Sequence, residues 1–262
     1  MTEHPFYAPV GTHNSLRWYL PVERSITVGP PDRKFLFGGV GLAASVTAME
    51  RATGRPLIWA TAQYLSYAEP GSIVDIDVRT PVSGKHITQA RVVGHVGERE
   101  IFTTNGALGA RDDDLAGQYV TMPAVPRPED CDPEAEVHDP EGLHGRFEMK
   151  PIARVAGEGE GRSCMWIRPS PTLPISSGLL AVIADYVPRG IRVALDRPAG
   201  ANSLDNTLRI HRVRPSEWVM CETQISGIAS GFVHGRMHIY ADDGELLATA
   251  SQSGIVRVFE PR

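Results

Sequence analysis

The sequence predicts an α+β fold in which a buried helix is followed by an antiparallel series of strands, and in which this order occurs twice. Residues 38–49 and 179–186 are apolar almost all round, which is typical of buried helices. Strand-like segments follow both helices, and in the clearest segment Val74, Ile76 and Val78 alternate with polar residues. Because each helix precedes several consecutive strands, an α+β fold is favoured over a parallel α/β fold.

The first helix begins at Gly38, and Gly54 is placed to end it as a C-cap. Glu50 and Arg51 mark the end that we expect to reach solvent. Four strands are predicted after this helix, near residues 57–67, 72–80, 86–96 and 100–108.

A proline-rich and acidic stretch, residues 111–145, separates the two halves of the chain. Proline stiffness and repulsion between its carboxylates favour an extended, exposed linker. The sequence therefore predicts an N-terminal unit at 1–110, a linker at 111–145 and a C-terminal unit at 146–262.

The order of elements starts again after the linker. Ser176 and Ser177 can cap a second helix, and Pro188 and Gly190 are expected to end it. Strands are predicted on both sides of this helix, near residues 146–156, 163–168, 202–211, 217–225, 231–240 and 245–258.

Composition excludes several classes of protein. The 262 residues are 42% hydrophobic, enough for a sizeable core, and the net charge of −5 offers no basic surface for nucleic acid. No apolar stretch approaches 18 residues, so no membrane insertion is expected. Residues 1–14 lack the apolar core of a signal peptide, and three separated cysteines indicate reduced thiols. A cytoplasmic protein is predicted.

The two halves resemble each other in sequence as well as in order. An offset of 145 residues places Pro70 on Pro215 and Glu100 on Glu245 without a gap, whereas the helices align at an offset of 139. With these offsets Asp185 falls on Val46, Ser203 on Ile58 and Gln252 on Ala107. Polar residues of the second half thus replace apolar or small residues of the first half at three points.

These three polar residues form a candidate site. A carboxylate in an apolar helix is costly to bury without partners, so Asp185 either faces solvent or has a chemical role. An acid, a hydroxyl and an amide that converge can hold and deprotonate a water molecule. The alternative is that Asp185 is structural, Ser203 belongs to a turn and Gln252 lies on the surface.

Several motifs occur along residues 35–258 in a fixed order: Phe37-Gly38-Gly39, Ala184-Asp185-Tyr186, Ser203-Leu204-Asp205, Glu217-Trp218, Gly231-Phe232-Val233-His234-Gly235-Arg236, Asp243-Gly244-Glu245-Leu246-Leu247-Ala248 and Gln252-Ser253-Gly254-Ile255-Val256-Arg257. Taken in their order and spacing, these motifs resemble the acyl-CoA thioesterase II (TesB-like) family. The chain departs from the family pattern at Val40, at Asn206 and at Ser253, so it resembles a divergent member.

The resemblance implies a double hotdog fold, in which two units, each a long helix wrapped by an antiparallel sheet, are fused in one chain. It also implies hydrolysis of an acyl-CoA substrate to a free acid and CoA, without a cofactor. Under this resemblance Asp185, Ser203 and Gln252 are the catalytic residues, and they are the same positions at which the two halves differ.

Further residues are predicted around this site. Asp185 is expected to act as general base toward water, with Ser203 and Gln252 orienting that water. Free N–H groups at the helix starts, at Gly38 and Gly39 or at Gly178, are candidates to polarise the thioester carbonyl. Asp205 lies two residues after Ser203, on the same face of a regular strand, and we expect it to orient its neighbours, although it is also a rival acid.

No metal site is predicted, because His234 and His238 share a strand face but have no third ligand at hand. Two other functions stay open at this point. One is a non-catalytic acyl-CoA or lipid binder, and the other is a hotdog hydratase or dehydratase, which is disfavoured because no His follows Asp185 before His211. Exposed sheet edges also favour a homo-oligomer.

Overall fold

The computed structural model describes residues 5–112, 114–134, 139–152 and 161–259. The first half contains, in chain order, β1 (Val10–Gly11), β2 (Arg17–Pro21), β3 (Thr27–Val28), β4 (Phe35–Leu36), α1 (Gly38–Thr53), β5 (Leu57–Tyr64), β6 (Ile73–Ser83), β7 (Ile87–Val96) and β8 (Arg99–Gly109). The second half contains β9 (Phe147–Ile152), β10 (Arg162–Pro169), α2 (Ser177–Ala184), α3 (Gly190–Leu195), β11 (Ala199–Ile210), β12 (Val219–Ala229), β13 (Phe232–Ala241) and β14 (Leu246–Val258). Single turns of 3₁₀ helix lie at Arg24–Ile26, Pro128–Asp130, Leu143–Arg146 and Val187–Arg189.

Within the described residues, twelve strands form one antiparallel sheet in the order β1-β2-β6-β7-β8-β5-β11-β14-β13-β12-β10-β9. Six neighbouring strands come from the first half and six from the second, and β5 and β11 join them. The order of the core strands β6-β7-β8-β5 is mirrored by β12-β13-β14-β11. Thr61 and Thr207 stand opposite each other at the junction, and their hydroxyl oxygens are 2.6 Å apart.

The two long apolar helices pack against each other and against the sheet. α1 contacts β5 to β8, and α2 contacts β11, β13 and β14. Ser176 caps α2 by accepting a hydrogen bond from the N–H of Leu179 at 3.1 Å, and Gly54 ends α1 in a left-handed conformation at φ 66°. The buried faces are fully desolvated, and each buried Leu or Val side chain stabilises the fold by about 1.5–3 kcal/mol.

The helices approach most closely where α1 begins. A Cβ atom on Gly39 would lie 2.8 Å from the carbonyl oxygen of Val182, which is closer than such contacts occur. Glycine is therefore needed here for the backbone of α1 to reach α2. This contact brings the first turn of α1 to the end of α2.

Matching irregularities show how the halves correspond. The register shifts between Leu57 and Trp59 in β5, and it shifts in the same way between Ser203 and Asp205 in β11. Leu57 pairs with Leu108 in the first half, and Ser203 pairs with Gly254 in the second half. Each residue of the second pair lies 146 positions after its counterpart in the first pair. The sequence alignment was therefore wrong by one residue in these strands.

With the corrected offset, Ser203 corresponds to Leu57 rather than Ile58, and Gln252 corresponds to Gly106 rather than Ala107. The first-half counterparts are still apolar or small. Thr61 and Thr207 are also 146 residues apart, so they are equivalent positions of the two halves. They pair with each other where β5 joins β11.

The predicted helices and core strands are present, with small differences at their ends. α2 ends at Ala184, before Pro188, and Gly190 begins α3 instead of ending a helix. The short strands β1 to β4 were not predicted, because they lack enough residues to show a period. The predicted strand near 146–156 is observed as β9, and residues 153–156 lie outside the described residues.

The described part of 111–145 is mostly exposed but lies against the second half. The indole N–H of Trp166 donates to the carbonyl oxygen of Pro126 at 2.9 Å, and the N–H of Leu246 donates to Gln118 at 2.7 Å. Asp113 and residues 135–138 of this stretch lie outside the described residues. Among the helices that are described, none has the length and apolar character needed to cross a bilayer.

Candidate active site

Asp185 is the C-cap residue of α2, where the helix gives way to a turn at φ −85° and ψ 11°. Only 4% of the residue is exposed. Its position after the last helical turn directs the carboxylate to the place where α1 begins and where β11 and β14 are paired. The helix therefore carries the acid, and the sheet and the first half of the chain surround it.

Four hydrogen-bond donors converge on this carboxylate. The N–H of Gly39 donates to Oδ2 at 2.6 Å. The hydroxyl of Ser203 donates to Oδ1 at 3.3 Å, and the amide Nδ2 of Asn206 donates to the same oxygen at 3.5 Å. Nε2 of Gln252 also donates to Oδ1. Oδ1 thus accepts three bonds from side chains, whereas Oδ2 accepts one bond from the backbone.

Ser203 and Gln252 also contact each other. Nε2 of Gln252 donates to the hydroxyl oxygen of Ser203 at 2.6 Å, so this amide uses both of its hydrogens within the site. The serine hydroxyl then donates its own hydrogen to Asp185. The acid, hydroxyl and amide predicted from sequence are therefore in mutual contact.

Burial raises the pKa of Asp185 from 3.8 to about 7, because the charged form loses its hydration. The hydrogen bonds from Gln252, Gly39, Ser203 and Asn206 oppose this shift, since they favour the carboxylate. A base with a pKa near 7 accepts a proton readily at neutral pH and releases it readily afterwards.

Three polar atoms around Asp185 have no hydrogen-bond partner among the described residues. They are the hydroxyl oxygen of Tyr64, Oδ1 of Asn206 and Oε1 of Gln252. A buried polar atom without a partner costs about 1–3 kcal/mol, so such atoms in a folded protein call for an explanation, and binding of a ligand or of water is one. Here they cluster around a single carboxylate.

A bulge in β11 decides which neighbour of Ser203 reaches the acid. The register shift after Ser203 breaks the alternation of the strand, so Asn206 rather than Asp205 shares the face of Ser203. The expectation that Asp205 lies on that face was wrong for this reason. Asp205 instead accepts a hydrogen bond at 2.7 Å from the N–H of Ser253, next to Gln252.

The three candidate glycines differ in their positions. Gly38 and Gly39 are at Asp185, and a Cβ on Gly38 would lie 2.9 Å from Oδ2. Gly178 lies near the start of α2 instead, where a Cβ would meet the ring of Tyr7 at 2.5 Å and the hydroxyl of Thr47 at 3.0 Å. The structure thus brings two of the three glycines to the acid.

Sequence reasoning missed Asn206 and Tyr64. Asn206 was noted only as a departure from the family pattern, and its burial at 0% exposure follows from the bulge. Tyr64 belongs to the first half, at the end of β5, and nothing in its local pattern sets it apart from a packing residue. A narrow apolar cleft lies beside Gln252, lined by Val187, Ile191, Ala201, Ile225 and Val233, among others.

Comparisons with known proteins place the chain in a family. The sequence profile of the acyl-CoA thioesterase C-terminal domain matches residues 128–256. A protein of Novosphingobium aromaticivorans DSM 12444, described as a candidate thioesterase, is 31% identical and superposes with a TM-score of 0.88 over 96% of this chain and 98% of that chain. The chain belongs to the acyl-CoA thioesterase II (TesB-like) family.

This family member is divergent but keeps the fold. A hotdog-fold protein of Alicyclobacillus acidocaldarius is 19% identical, with a TM-score of 0.84 over the whole of both chains. An acyl-CoA thioesterase II of Mycobacterium marinum is 18% identical, with a TM-score of 0.77 over 97% of this chain and 98% of that chain. A sequence search of curated proteins gives no match. The acyl-CoA thioesterase II family member described here is a thioester hydrolase with a hotdog fold.

Proposed function

We propose that this enzyme hydrolyses an acyl-CoA by direct attack of a water molecule that Asp185 activates, with Ser203 and Gln252 as the orienting residues. The observation that carries the proposal is the asymmetry of the carboxylate. Oδ1 is occupied by three side-chain donors, whereas Oδ2 accepts, from the residues that the structure describes, only the N–H of Gly39 and keeps a lone pair for a water hydrogen.

In the proposed reaction the water donates one hydrogen to Oδ2 of Asp185 and the other to Oε1 of Gln252, an acceptor that has no hydrogen-bond partner among the described residues. The water oxygen attacks the thioester carbonyl carbon while its proton passes to Asp185. The carbon–sulfur bond then breaks, and the thiolate of CoA takes the proton from Asp185. The products are a carboxylic acid and CoA, and Asp185 is a base again.

Ser203 does not form a covalent intermediate in this proposal. Its hydroxyl hydrogen is directed to Asp185, and its oxygen accepts from Gln252, which fixes both groups. Asp205 supports them indirectly, since its bond to the N–H of Ser253 holds β14 next to Gln252. The apolar side chains beside Gln252 are the candidate contacts of the acyl chain.

We further propose that the two six-stranded halves are fused hotdog units, 1–110 and 146–262, joined by the linker 111–145. The equal strand order and the matching bulges of β5 and β11 support this interpretation. A homo-oligomer in the cytoplasm stays a prediction of the sequence.

The test is release of free thiol from short-, medium- and long-chain acyl-CoAs by the wild type and by Asp185→Asn. We expect the wild type to release thiol from at least one chain length, and the variant to lose about 10²- to 10⁴-fold in kcat. Binding of acyl-CoA without thiol release across the whole panel would instead identify a non-catalytic binder. A fully active Asp185→Asn protein would contradict the role of this acid.

A further inference from the structure

One of the two backbone donors expected at the start of α1, the N–H of Gly39, is already in use. The N–H of Gly39 donates to Oδ2 of Asp185 at 2.6 Å, so it holds the base and is not free to bind a substrate oxygen. Attack on a thioester places negative charge on the carbonyl oxygen, and such charge is normally met by a fixed hydrogen-bond donor. Another donor near Asp185 is therefore of interest.

Tyr64 borders the open side of the base. A Cβ built on Gly38 would lie 2.8 Å from Cζ of Tyr64 and 2.9 Å from Oδ2 of Asp185, so the phenol and the carboxylate flank one point. The tyrosine reaches this point from the first half, because the last residues of β5 pair with β11 next to the site. Its ring is partly exposed, whereas its hydroxyl oxygen is buried.

The hydroxyl of Tyr64 makes no hydrogen bond of good geometry in the described part of the chain, and its nearest polar neighbour is the side chain of Asn206, whose contact with it is weak. Burial raises the pKa of Tyr64 well above its ordinary value, and the charges of Asp185 and Asp205 raise it further, whereas the weak hydrogen-bonding contact with the Asn206 side chain opposes this in part. The phenol thus stays protonated and has one hydrogen to donate. A buried donor that lacks an acceptor beside a catalytic base is costly to keep without a function.

We propose that Tyr64 is a catalytic residue supplied by the first half, and that its hydroxyl donates a hydrogen bond to the carbonyl oxygen of the bound thioester. This proposal rests on the proposed function, and it assigns the carbonyl contact of that reaction. In this arrangement the carbonyl oxygen of the substrate contacts the hydroxyl of Tyr64. The water bound to Oδ2 approaches the carbonyl carbon from the side of Asp185.

The test combines kinetics of Tyr64→Phe with binding of two acyl-CoA analogues that are not hydrolysed. One is a ketone analogue, in which a methylene replaces the sulfur and the carbonyl is kept. The other is a thioether analogue, in which a methylene replaces the carbonyl. Tyr64→Phe should lower kcat about 100-fold, and it should raise KM and weaken the ketone analogue, but not the thioether analogue, by a similar factor of about 2 to 10.

Tyr19→Phe is the matched control, since Tyr19 lies on β2 near the far edge of the sheet. It should leave kinetics and both affinities as in the wild type. The thermal midpoint of Tyr64→Phe should stay close to that of the wild type, because the hydroxyl makes no hydrogen bond of good geometry with the described residues.

Three results would overturn the assignment of Tyr64: an unchanged kcat, an equal loss of affinity for both analogues, or loss of the fold. Failure of the proposed function has a different signature, namely a wild type that releases no thiol. In that case a preference for the ketone analogue that depends on Tyr64 would still support the carbonyl contact. A wild type that binds neither analogue would contradict the carbonyl contact as well.

Discussion

At the scale of single residues, the site depends on how many donors a buried carboxylate can hold without losing its basicity. Gly39, Ser203, Asn206 and Gln252 stabilise the charged form of Asp185, yet burial outweighs them and raises its pKa to about 7. Fewer donors would leave the acid neutral at physiological pH, and more exposure would leave it a weak base.

The raised pKa predicts the pH dependence of the reaction. Only the ionised form of Asp185 can accept a proton from water, so kcat/KM should rise with pH through about pH 7 and then level off. Steady-state rates between pH 5 and 9 measure this profile. A rate that stays constant down to pH 5 would show that Asp185 is not the titrating base.

The same shift predicts the pH dependence of stability. The folded protein holds the proton on Asp185 up to about pH 7, whereas the unfolded chain loses it near pH 3.8. The free energy of unfolding therefore contains a contribution that is complete below pH 3.8 and is lost as pH rises to about 7, at most about 4 kcal/mol.

An amide at position 185 does not titrate, so the stability of Asp185→Asn should lack this pH dependence. Because the wild type loses stability as pH rises, the stability of the variant relative to the wild type should increase between pH 5 and pH 8. Denaturant unfolding at several pH values measures the difference. Asp75→Asn, at an exposed position on β6, is the control and should follow the wild type at every pH. A difference between Asp185→Asn and the wild type that does not vary with pH would contradict the shift.

At the scale of elements, the site is formed where the start of α1 meets the end of α2. Gly39 has two functions there, because its N–H binds the acid and its missing side chain permits the contact with Val182. The bulge in β11 is the second requirement, since it brings Asn206 to the face of Ser203.

Gly39→Ala should damage both the packing and the reaction. The added Cβ would lie 2.8 Å from Cβ of Asp185 and from the backbone of Val182, so the helices must separate. We expect a loss of about 1–3 kcal/mol in stability and a larger relative loss of kcat. Gly227→Ala, which meets nothing within 4 Å, is the control, and equal effects of the two variants would contradict this account.

The helices, the core strands and three of the candidate site residues could be predicted from the sequence, whereas other residues of the site could not. The apolar runs and alternating strands predicted both helices and the eight core strands, and the differences between the halves indicated Asp185, Ser203 and Gln252. A bulge cannot be seen in the alternation of polar and apolar residues along a strand, so Asn206 was missed and Asp205 was placed on the wrong face. Gly39 and Tyr64 were harder still, because their roles arise from contacts between the two halves.

At the scale of the whole molecule, the two halves share one sheet and one active site. The β5–β11 pairing continues the hydrogen-bonded sheet across the junction, and α1 packs along α2. Each helix packs against the helix of the other half as well as against the strands of its own half. The structure therefore predicts that both halves unfold together.

Tryptophan fluorescence can test this, because Trp18 and Trp59 report on the first half and Trp166 and Trp218 on the second. In each of two variants, one pair is replaced by Phe so that the other pair reports alone. The denaturant midpoint from fluorescence should equal that from far-UV circular dichroism in both variants. Two separate midpoints within one variant would show that the halves unfold independently.

The packing of Gly178 has a consequence for stoichiometry. This residue corresponds to Gly39, since both lie two positions after the N-cap of their helices, but the ring of Tyr7 occupies the place beside it. The correspondence of the two halves would place a second, equivalent site beside Gly178, and the ring of Tyr7 occupies that position. Each polypeptide should therefore bind one molecule of the non-hydrolysable ketone analogue at saturation, which calorimetric titration can count.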